Sequence, residues 1–509
     1  MKRVISILAA MTMLAGCLTG CGGTGKKDGA ALTTVRVAVF ERNDAPEGQG
    51  STTDNKMTQW INQEAAKIGL NIEFVACPRD QETQKLNAWM ASSNAPDIVF
   101  TYNNENTFQR YADQGGLCQL DEYLEKDGRA ILDKMGGVLD YGNYQGKQFA
   151  IPGIRTLQPA SNMKIRQDWL DKLGLAQPQN PEELYQVLKA FKEQDPGNVG
   201  RENVVPWAMA APGVMGKYGG YGNILYAFGV KNYGDFGGTY ENGEFRSAVD
   251  IPEAKEAYRY LNRLYQEGLI HREFAVDNNG SKFTQHVATG AAGLVDMNGA
   301  YIDNLTKDAV PDVNWMPIEP LADSQGSRML NAYTKARWLN MVPKSSKVPE
   351  AAVRYMNWMV ESKADITLTY GFEGTHYKVE DDVIIATTTD ANAKDMWKGA
   401  DLNLIGYVNY MVPRDKLDKV MKPEEAEKTA IAMDYTDKYA VEKPVITDKR
   451  PIAQEKASML QEYVNTGVAK LIVAADFDAE YEKFVSGWYG LGGGDYDKEY
   501  QDALQAKEK

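Results

Sequence analysis

Histidine and cysteine are scarce, with three and four copies in 509 residues. His271, His286 and His376 lie far apart and lack any HExxH or CxxC companion, so no metal centre is signalled. No G-x-S-x-G turn is present to expose a nucleophilic serine. The 70 acidic residues offer many carboxylate pairs for glycoside hydrolysis, and no short motif singles one out. Basic residues are the minority, 56 against 70, and the net charge of −14 argues against nucleic acid or an anionic membrane surface as the main partner. Beyond one N-terminal stretch there is no long hydrophobic run, no sequence repeat and no low-complexity tract. Nothing calls for a cofactor.

What is present begins with Lys2 and Arg3, followed by an apolar stretch over residues 4–18. That is short of the ~20 residues of a membrane span and reads as a secretory signal. Within "MLAGCLTGCGG" one pattern occurs twice, as Leu14-Ala15-Gly16-Cys17 and Leu18-Thr19-Gly20-Cys21. Leu-small-Gly-Cys resembles the lipobox, whose cysteine takes a diacylglyceryl group before the signal is cut just ahead of it. Cys21 is favoured because Gly22 and Gly23 follow it, with Cys17 as the alternative. Residues 1–20 are then a signal peptide and 21–34 a lipidated tether at the outer face of the cell membrane. Each acyl CH₂ buried in the bilayer contributes roughly 0.8 kcal/mol, so two chains anchor stably. Gly20, Gly25 and Lys26 mimic a phosphate-binding loop, but Lys27 stands where Ser or Thr is required. Cys77 and Cys118 remain, either as a disulfide or as two buried thiols.

The length implies two or more domains, and 43% hydrophobic residues supply ample cores. "VRVAVF" reads as a strand, "NKMTQWINQEAAKIGL" as a helix with Met57, Ile61 and Ala65 on one face, and "NIEFVAC" as a second strand. A helical "QETQKLNAWMASSN" and a third strand, "IVF", complete a β-α-β-α-β run, which means a parallel sheet with covering helices. In "NPEELYQVLKAFKEQDP", Asn180 is placed as N-cap, Pro181 at the first helical position and Glu183 to close a capping box. Helices are also expected near 252–268 and 349–363, and strands at "GLVDM", "VNWMPI" and "RWLNMVP".

Several stretches occur in an order that resembles the carbohydrate-binding lipoproteins of Gram-positive ABC importers, relatives of alginate-binding proteins (extracellular solute-binding protein family 1). They are "LNAWMASSNAPDIVFTYNNENTFQRYADQGGLCQLDEYL", "GKQFAIP" with "IRQDWLDKLGLAQPQNPEELYQVLKAFKEQDP", "GLVDMNGAYIDN", "VPEAAVRYMNWM", "YGFEGTHY" and "AKLIVAADFDAEYEKFVSGWYGLG". The resemblance implies an α/β, two-lobed type II periplasmic-binding-protein fold with discontinuous lobes and a ligand cleft between them. By position, residues 35–152 and 332–370 would form the N-terminal lobe, and 153–331 with 371–509 the C-terminal lobe. Crossings would fall at "FAIPG", near 331–338 and near 370–376. Hinge closure on an oligosaccharide would present the closed form to permease subunits driven by a cytoplasmic ATPase, with the receptor itself a monomer.

Sugars pair hydroxyls with flat C–H faces, so their sites need aromatic platforms and planar hydrogen-bonding groups. The chain holds 28 tyrosines. Loops leaving the carboxyl ends of strands are the usual ligand edge of open α/β sheets. By position within the resemblance, "TYNNEN" gives Tyr102, Asn103, Asn104 and Glu105, "ERND" gives Glu41, Arg42 and Asn43, and "NGAY" gives Tyr301 as the stacking platform. Trp207, Tyr218 and Tyr221 stand in Gly-rich or apolar settings that suit a cleft or a core, and Glu373 and His376 lie at a family landmark. Arg155 could pair with the carboxylate of a uronic sugar through its planar fork, or stabilise the hinge. Some relatives carry a calcium loop after the "KAF" helix. Here "DPGNVGRENVVP" keeps Asp195 and Asn203 but puts Gly197 and Val199 where ligands belong, so no tight metal site is expected. Two other readings stay open: a surface enzyme acting on polysaccharide, or the same fold with a peptide or other small solute as cargo.

Cys21→Ala is expected to abolish incorporation of labelled palmitate and release the protein into the medium, whereas Cys17→Ala leaves it cell-bound. Labelling that survives Cys21→Ala and is lost on Cys17→Ala would move the anchor to Cys17.

Overall fold

The computed structural model describes residues 31–508 apart from 93, 103–104, 156–160, 214–219 and 407–411. Cys17 and Cys21 therefore lie outside the described residues. The fold is two α/β bodies built around separate hydrophobic clusters, with the chain passing between them more than once.

The first body starts from the Thr33–Glu41 strand, which runs parallel to Leu70–Pro78. Successive side chains of a strand point to opposite faces. Accordingly Val35, Val37 and Val39 enter one cluster with Met57, Ile61 and Ala65 of the Lys56–Ala66 helix. Ala38 and Phe40 enter another, with Leu86, Phe100 and Trp338. Burial on both faces explains why this stretch is nearly all apolar. Asn55 caps the helix: its Oδ1 accepts from the amides of Met57 and Thr58, and Thr58 Oγ1 accepts from the Asn55 amide at 2.8 Å. Ile98, just ahead of the third strand, continues the parallel sheet: it bridges Val37 in parallel, its carbonyl accepting from the Ala38 amide at 2.9 Å and its amide donating to Arg36 O at 3.0 Å. Antiparallel pairing is added on the other side, so this part of the fold is mixed rather than purely parallel. Strand Ala336–Met341 lies between Val99–Tyr102 and Ala150–Ile154 and pairs with both.

In the second body, Asn162–Arg166 pairs antiparallel with Ala292–Met297 and with Trp315–Pro317, while Val205–Trp207 runs parallel to Ala292–Met297. Asn180 caps Pro181–Gln194 as expected, its Oδ1 accepting from the Glu183 amide at 3.0 Å. The Glu183 carboxylate reaches the Gln179 amide instead of closing the box on Asn180. Leu184, Leu188 and Phe191 of this helix join Trp169, Leu261, Leu460 and Trp488 in the core. Pro252–Gln266, Pro451–Val473, Phe477–Gly490 and Gly493–Glu508 supply the surrounding helices.

The later crossing departs from the sequence expectation. Leu402, Leu404 and Ile405 are buried with Val35 and Ile61, and Phe372 and Met396 pack against them, so residues 372–405 belong with the first body and not the second. The cause is hydrogen bonding to its sheet edge. Leu404 O accepts from Trp338 Nε1 at 2.5 Å and Asn340 Nδ2 at 2.8 Å, and Ile405 O accepts from the Ile154 amide at 2.7 Å. Residues 440–450 then form a strap that touches both bodies. Val441 O accepts from Asn232 Nδ2, Ile446 O from Gln109 Nε2 at 2.7 Å, and Thr447 O from the Gln145 amide. Cys77 and Cys118 are separate, buried thiols. Among the described residues no helix is long and apolar enough to cross a membrane.

Gly153 lies where the Trp338 indole and Leu404 O crowd the Ala150–Ile154 strand, and a Cβ there would overlap both. Gly153→Ala is expected to cost about 1–3 kcal/mol through overpacking, read as a lower urea midpoint with unchanged slope.

Candidate functional site

A cavity of about 690 Å³ lies between the two bodies, within the size range of small-molecule sites. The second body contributes Tyr221, Tyr226, Asp235 and Phe236; the first contributes Glu105 and Asn106; the crossing adds Asn331, Tyr333 and Thr334; the strap adds Lys443. Rings and primary amides thus line the same cavity. Tyr221 and Tyr226 are placed by the Gly222–Ala227 turn of helix, whose Asn223 Nδ2 donates to both oxygens of Asp296 at 2.9 and 3.0 Å. Asp296 is fully buried at the end of a central strand, and burial pushes its carboxyl up.

Across the cavity runs an ion trio. Lys443 Nζ stands 3.6 Å from Glu105 Oε2 in the first body and 3.2 Å from Asp235 Oδ1 in the second. Tyr496 OH donates to Asp235 Oδ2 at 2.9 Å. Burial pushes the Asp235 carboxyl up, but Lys443, Arg450 and the Tyr496 hydrogen bond outweigh it and hold the group well below the usual carboxylate range. Burial likewise disfavours charge on Lys443, and Glu105 and Asp235 more than offset it.

Guanidinium groups and rings gather where the strands of the first body end. Arg79 lies 4.5 Å from the ring centroids of both Phe40 and Tyr102. Arg155 covers Tyr333 at 4.4 Å, and its Nη2 donates to Tyr102 OH at 3.3 Å. Arg337 covers Trp338 at 4.3 Å. Burial lowers the Arg155 pKa, Tyr102 and Tyr333 raise it, and Arg337 lowers it further.

Of the residues expected from sequence, Glu105 and Tyr221 line the cavity, and Tyr102 and Arg155 stand beside it through Tyr333. Asn103, Asn104 and Tyr218 fall outside the described residues. The "ERND" loop is committed to structural contacts, within itself and with the Gly399–Leu402 turn of helix. The Arg42 guanidinium grips Asp401 by two nitrogens at 2.7–3.2 Å, and Glu41 accepts from the amide of Asn43, which takes a left-handed φ of 55°. Trp207 is a correction, since it is 0% exposed and its strand turns the ring into the core. His376 is another. It is 0% exposed, its Nδ1 accepts from the Phe372 amide at 3.0 Å, and its Nε2 donates to Asn392 O at 3.1 Å. Gly371, at φ 84°, packs so close to that ring that a Cβ would collide with it, and Glu373 is exposed on the adjoining turn. Tyr301 does not line the cavity; its hydroxyl donates to Glu424 Oε1 at 3.0 Å and accepts from Lys307. Tyr226, Tyr333, Asp235 and Lys443 went unpredicted. For Tyr333 the position at a crossing was an available signal; the Asp235–Lys443 pair spans 208 positions and leaves no local trace.

In the turn after the Pro181–Gln194 helix, Asp195 accepts from the amides of Val199 and Gly200 at 3.0 and 2.9 Å. His271 and His286 meet at 4.9 Å between ring centroids, yet among the described residues no three His, Cys, Asp or Glu side chains are arranged to hold a metal ion.

Two α/β bodies enclosing a ring-and-amide cavity define a solute-binding protein, and comparison with known families agrees. The profile for bacterial extracellular solute-binding protein matches residues 59–399, and the chain belongs to that family. It is 23% identical to lipoprotein LipO of Bacillus subtilis strain 168 over 522 residues, covering 99% of this chain and 98% of the relative. It is 25% identical to polygalacturonan/rhamnogalacturonan-binding protein YtcQ of the same strain over 521 residues, covering 99% of each. Among solved structures, the alginate-binding protein AlgQ2 without calcium ion superposes with a TM-score of 0.70 at 18% identity, covering 94% of this chain and 98% of that one.

Lys443→Met leaves Glu105 and Asp235 facing each other and is expected to cost about 1–3 kcal/mol at neutral pH. Because the folded Asp235 pKa is depressed, its contribution is present above the unfolded value near ~3.9 and is lost as pH falls below it. Melting curves from pH 7 to pH 3 should therefore show wild type and variant converging in acid. A gap that stays constant would place the stabilising charge elsewhere.

Proposed function

We propose that this protein is the lipid-anchored receptor of an ABC importer, capturing an oligosaccharide between its two bodies and delivering it to the permease. The observation that carries this reading is the make-up of the cavity wall, where Tyr221, Tyr226 and Tyr333 stand among Asn106, Asn232 and Asn331. Rings take the C–H faces of pyranoses and amides take their hydroxyls in pairs. The sugar named in YtcQ and the lipoprotein naming of LipO support the cargo and the anchor respectively. Residues 35–152 with 332–406 act as one lobe and 153–331 with the later chain as the other, the strap and crossings serving as hinge. Closure buries the ligand and presents a single shape to the permease; the receptor acts as a monomer and makes or breaks no bond.

A thermal-shift screen of the detergent-solubilised full-length chain against oligosaccharides, amino acids and peptides tests the cargo. A ligand at a hundred times its dissociation constant adds ~2.7 kcal/mol, a readable rise in Tm. Shifts confined to saccharides are expected; shifts with peptides alone would overturn the oligosaccharide assignment while leaving the fold intact. Release of reducing ends from incubated polysaccharide would overturn the receptor reading itself.

A further inference from the structure

We propose that His271 and His286 form an open site for one first-row transition-metal ion, copper(II) in preference to nickel(II) or zinc(II), on the second body and away from the cleft. Both rings stand in a cavity of about 810 Å³ that shares no lining residue with the cleft. His271 is carried at the edge of the second sheet, where Ile270 bridges Trp207 in parallel and Leu269 O accepts from the Trp207 amide at 2.9 Å. His286 belongs to the helix Ser281–Ala288, which is held by burial of Phe283 and Val287 and by Asp277, whose Oδ2 accepts from the Phe283 amide at 2.9 Å. Anchored backbone thus presents two half-buried imidazoles to an opening that an ion can enter.

Their spacing suits a shared ion. The ring centroids are 4.9 Å apart. With metal–nitrogen bonds of about 2.0–2.1 Å, two imidazoles on neighbouring corners of a square or tetrahedral ion place their centroids about 4.5–5 Å apart. Hydrogen bonding supplies the lone pairs. A carbonyl oxygen only accepts, so His271 Nε2 donates to Met209 O at 2.6 Å and leaves Nδ1 of the neutral ring unprotonated. A backbone carbonyl orients ligating histidines in this way. Among the described residues no hydrogen bond ties either nitrogen of His286, which leaves that ring able to turn to the same point.

The surroundings set the class of ion. Lys192, Arg201 and Arg272 line the cavity against Glu202 and Glu273, and Glu273 is itself paired with Lys282 at 3.0 Å. A bare cation therefore meets no net attraction, and affinity has to come from the two nitrogens. Calcium and magnesium, which take oxygen ligands, are not held by such a pair, whereas copper(II), nickel(II) and zinc(II) accept imidazole. Two protein donors leave the other coordination positions to water, so binding is reversible and ties the Ser281–Ala288 helix to the segment after Ile270.

The test is calorimetric titration of the detergent-solubilised full-length chain with chlorides of copper(II), nickel(II), zinc(II), calcium and magnesium in a non-coordinating buffer. A single copper(II) ion is expected to bind more tightly than nickel(II) or zinc(II), and calcium should not displace it. The paramagnetic resonance spectrum of the copper(II) complex should show hyperfine splitting from two ring nitrogens. His286→Gln, which removes no hydrogen bond, is expected to leave the Tm of the metal-free protein unchanged and to lower copper(II) affinity at least ~10-fold; His271→Gln should lower it likewise. Copper(II) affinity unchanged in both variants, a spectrum with oxygen ligands alone, or displacement by calcium would overturn the site. None of these outcomes bears on the cargo, because the cleft contributes no ligand.

Discussion

A charge drawn partly out of water is costly unless it is paired, and in this molecule that constraint falls on Lys443, whose side chain is half-buried in the cleft. Its ammonium group is matched by one carboxylate from each body, Glu105 and Asp235, so the two halves of the cleft share a common counter-charge. Gln109 bound to Ile446 O and Lys449 paired with Asp113 at 2.8 Å extend the same attachment along the strap. The cavity owes its position to this seam: Asn106 and Asp235, held 3.4 Å apart across it, belong to different bodies. The Tyr221 and Tyr226 rings that line the cavity can then be presented on a single short turn of helix, because the Asn223–Asp296 anchor fixes where that turn sits.

Charge is distributed unevenly along the cleft. Around the seam, carboxylates outnumber ammonium groups, while the crossing end gathers guanidinium groups over Tyr102, Tyr333 and Trp338. An extended ligand lying along this gradient would be read differently at its two ends, which is a basis for orientation as well as for selection.

Much of the architecture was legible because its signals are local. Asn180-Pro181 starts a helix through a cap and a preset φ, and Met57, Ile61 and Ala65 fall on one face whatever surrounds them. The site was legible only in part. Glu105 and Tyr221 were reachable because they follow strand ends or glycines, where ligand-facing loops leave a sheet. Trp207 and His376 misled because residue type does not report burial, and both are fully enclosed. The lobe boundary near 406 and the Lys443 trio were invisible for a common reason: each depends on hydrogen bonds or charges between distant segments, 66 positions apart for Trp338 and Leu404 and 208 for Asp235 and Lys443, with no trace in either segment alone.

The pairing of Ala336–Met341 has a consequence for how the chain assembles. This strand lies between Val99–Tyr102 and Ala150–Ile154, both of which come from the first third of the sequence. The body that is synthesised first therefore cannot complete its sheet until nearly two hundred further residues, those of the second sheet included, have followed it. During that interval Phe100 and Ile151 lack their partner strand, and the open edge of the half-made sheet is a template for wrong pairing. Closing so long a loop is a slow, high-contact-order step, so the first body completes its sheet only after much of the second has been made.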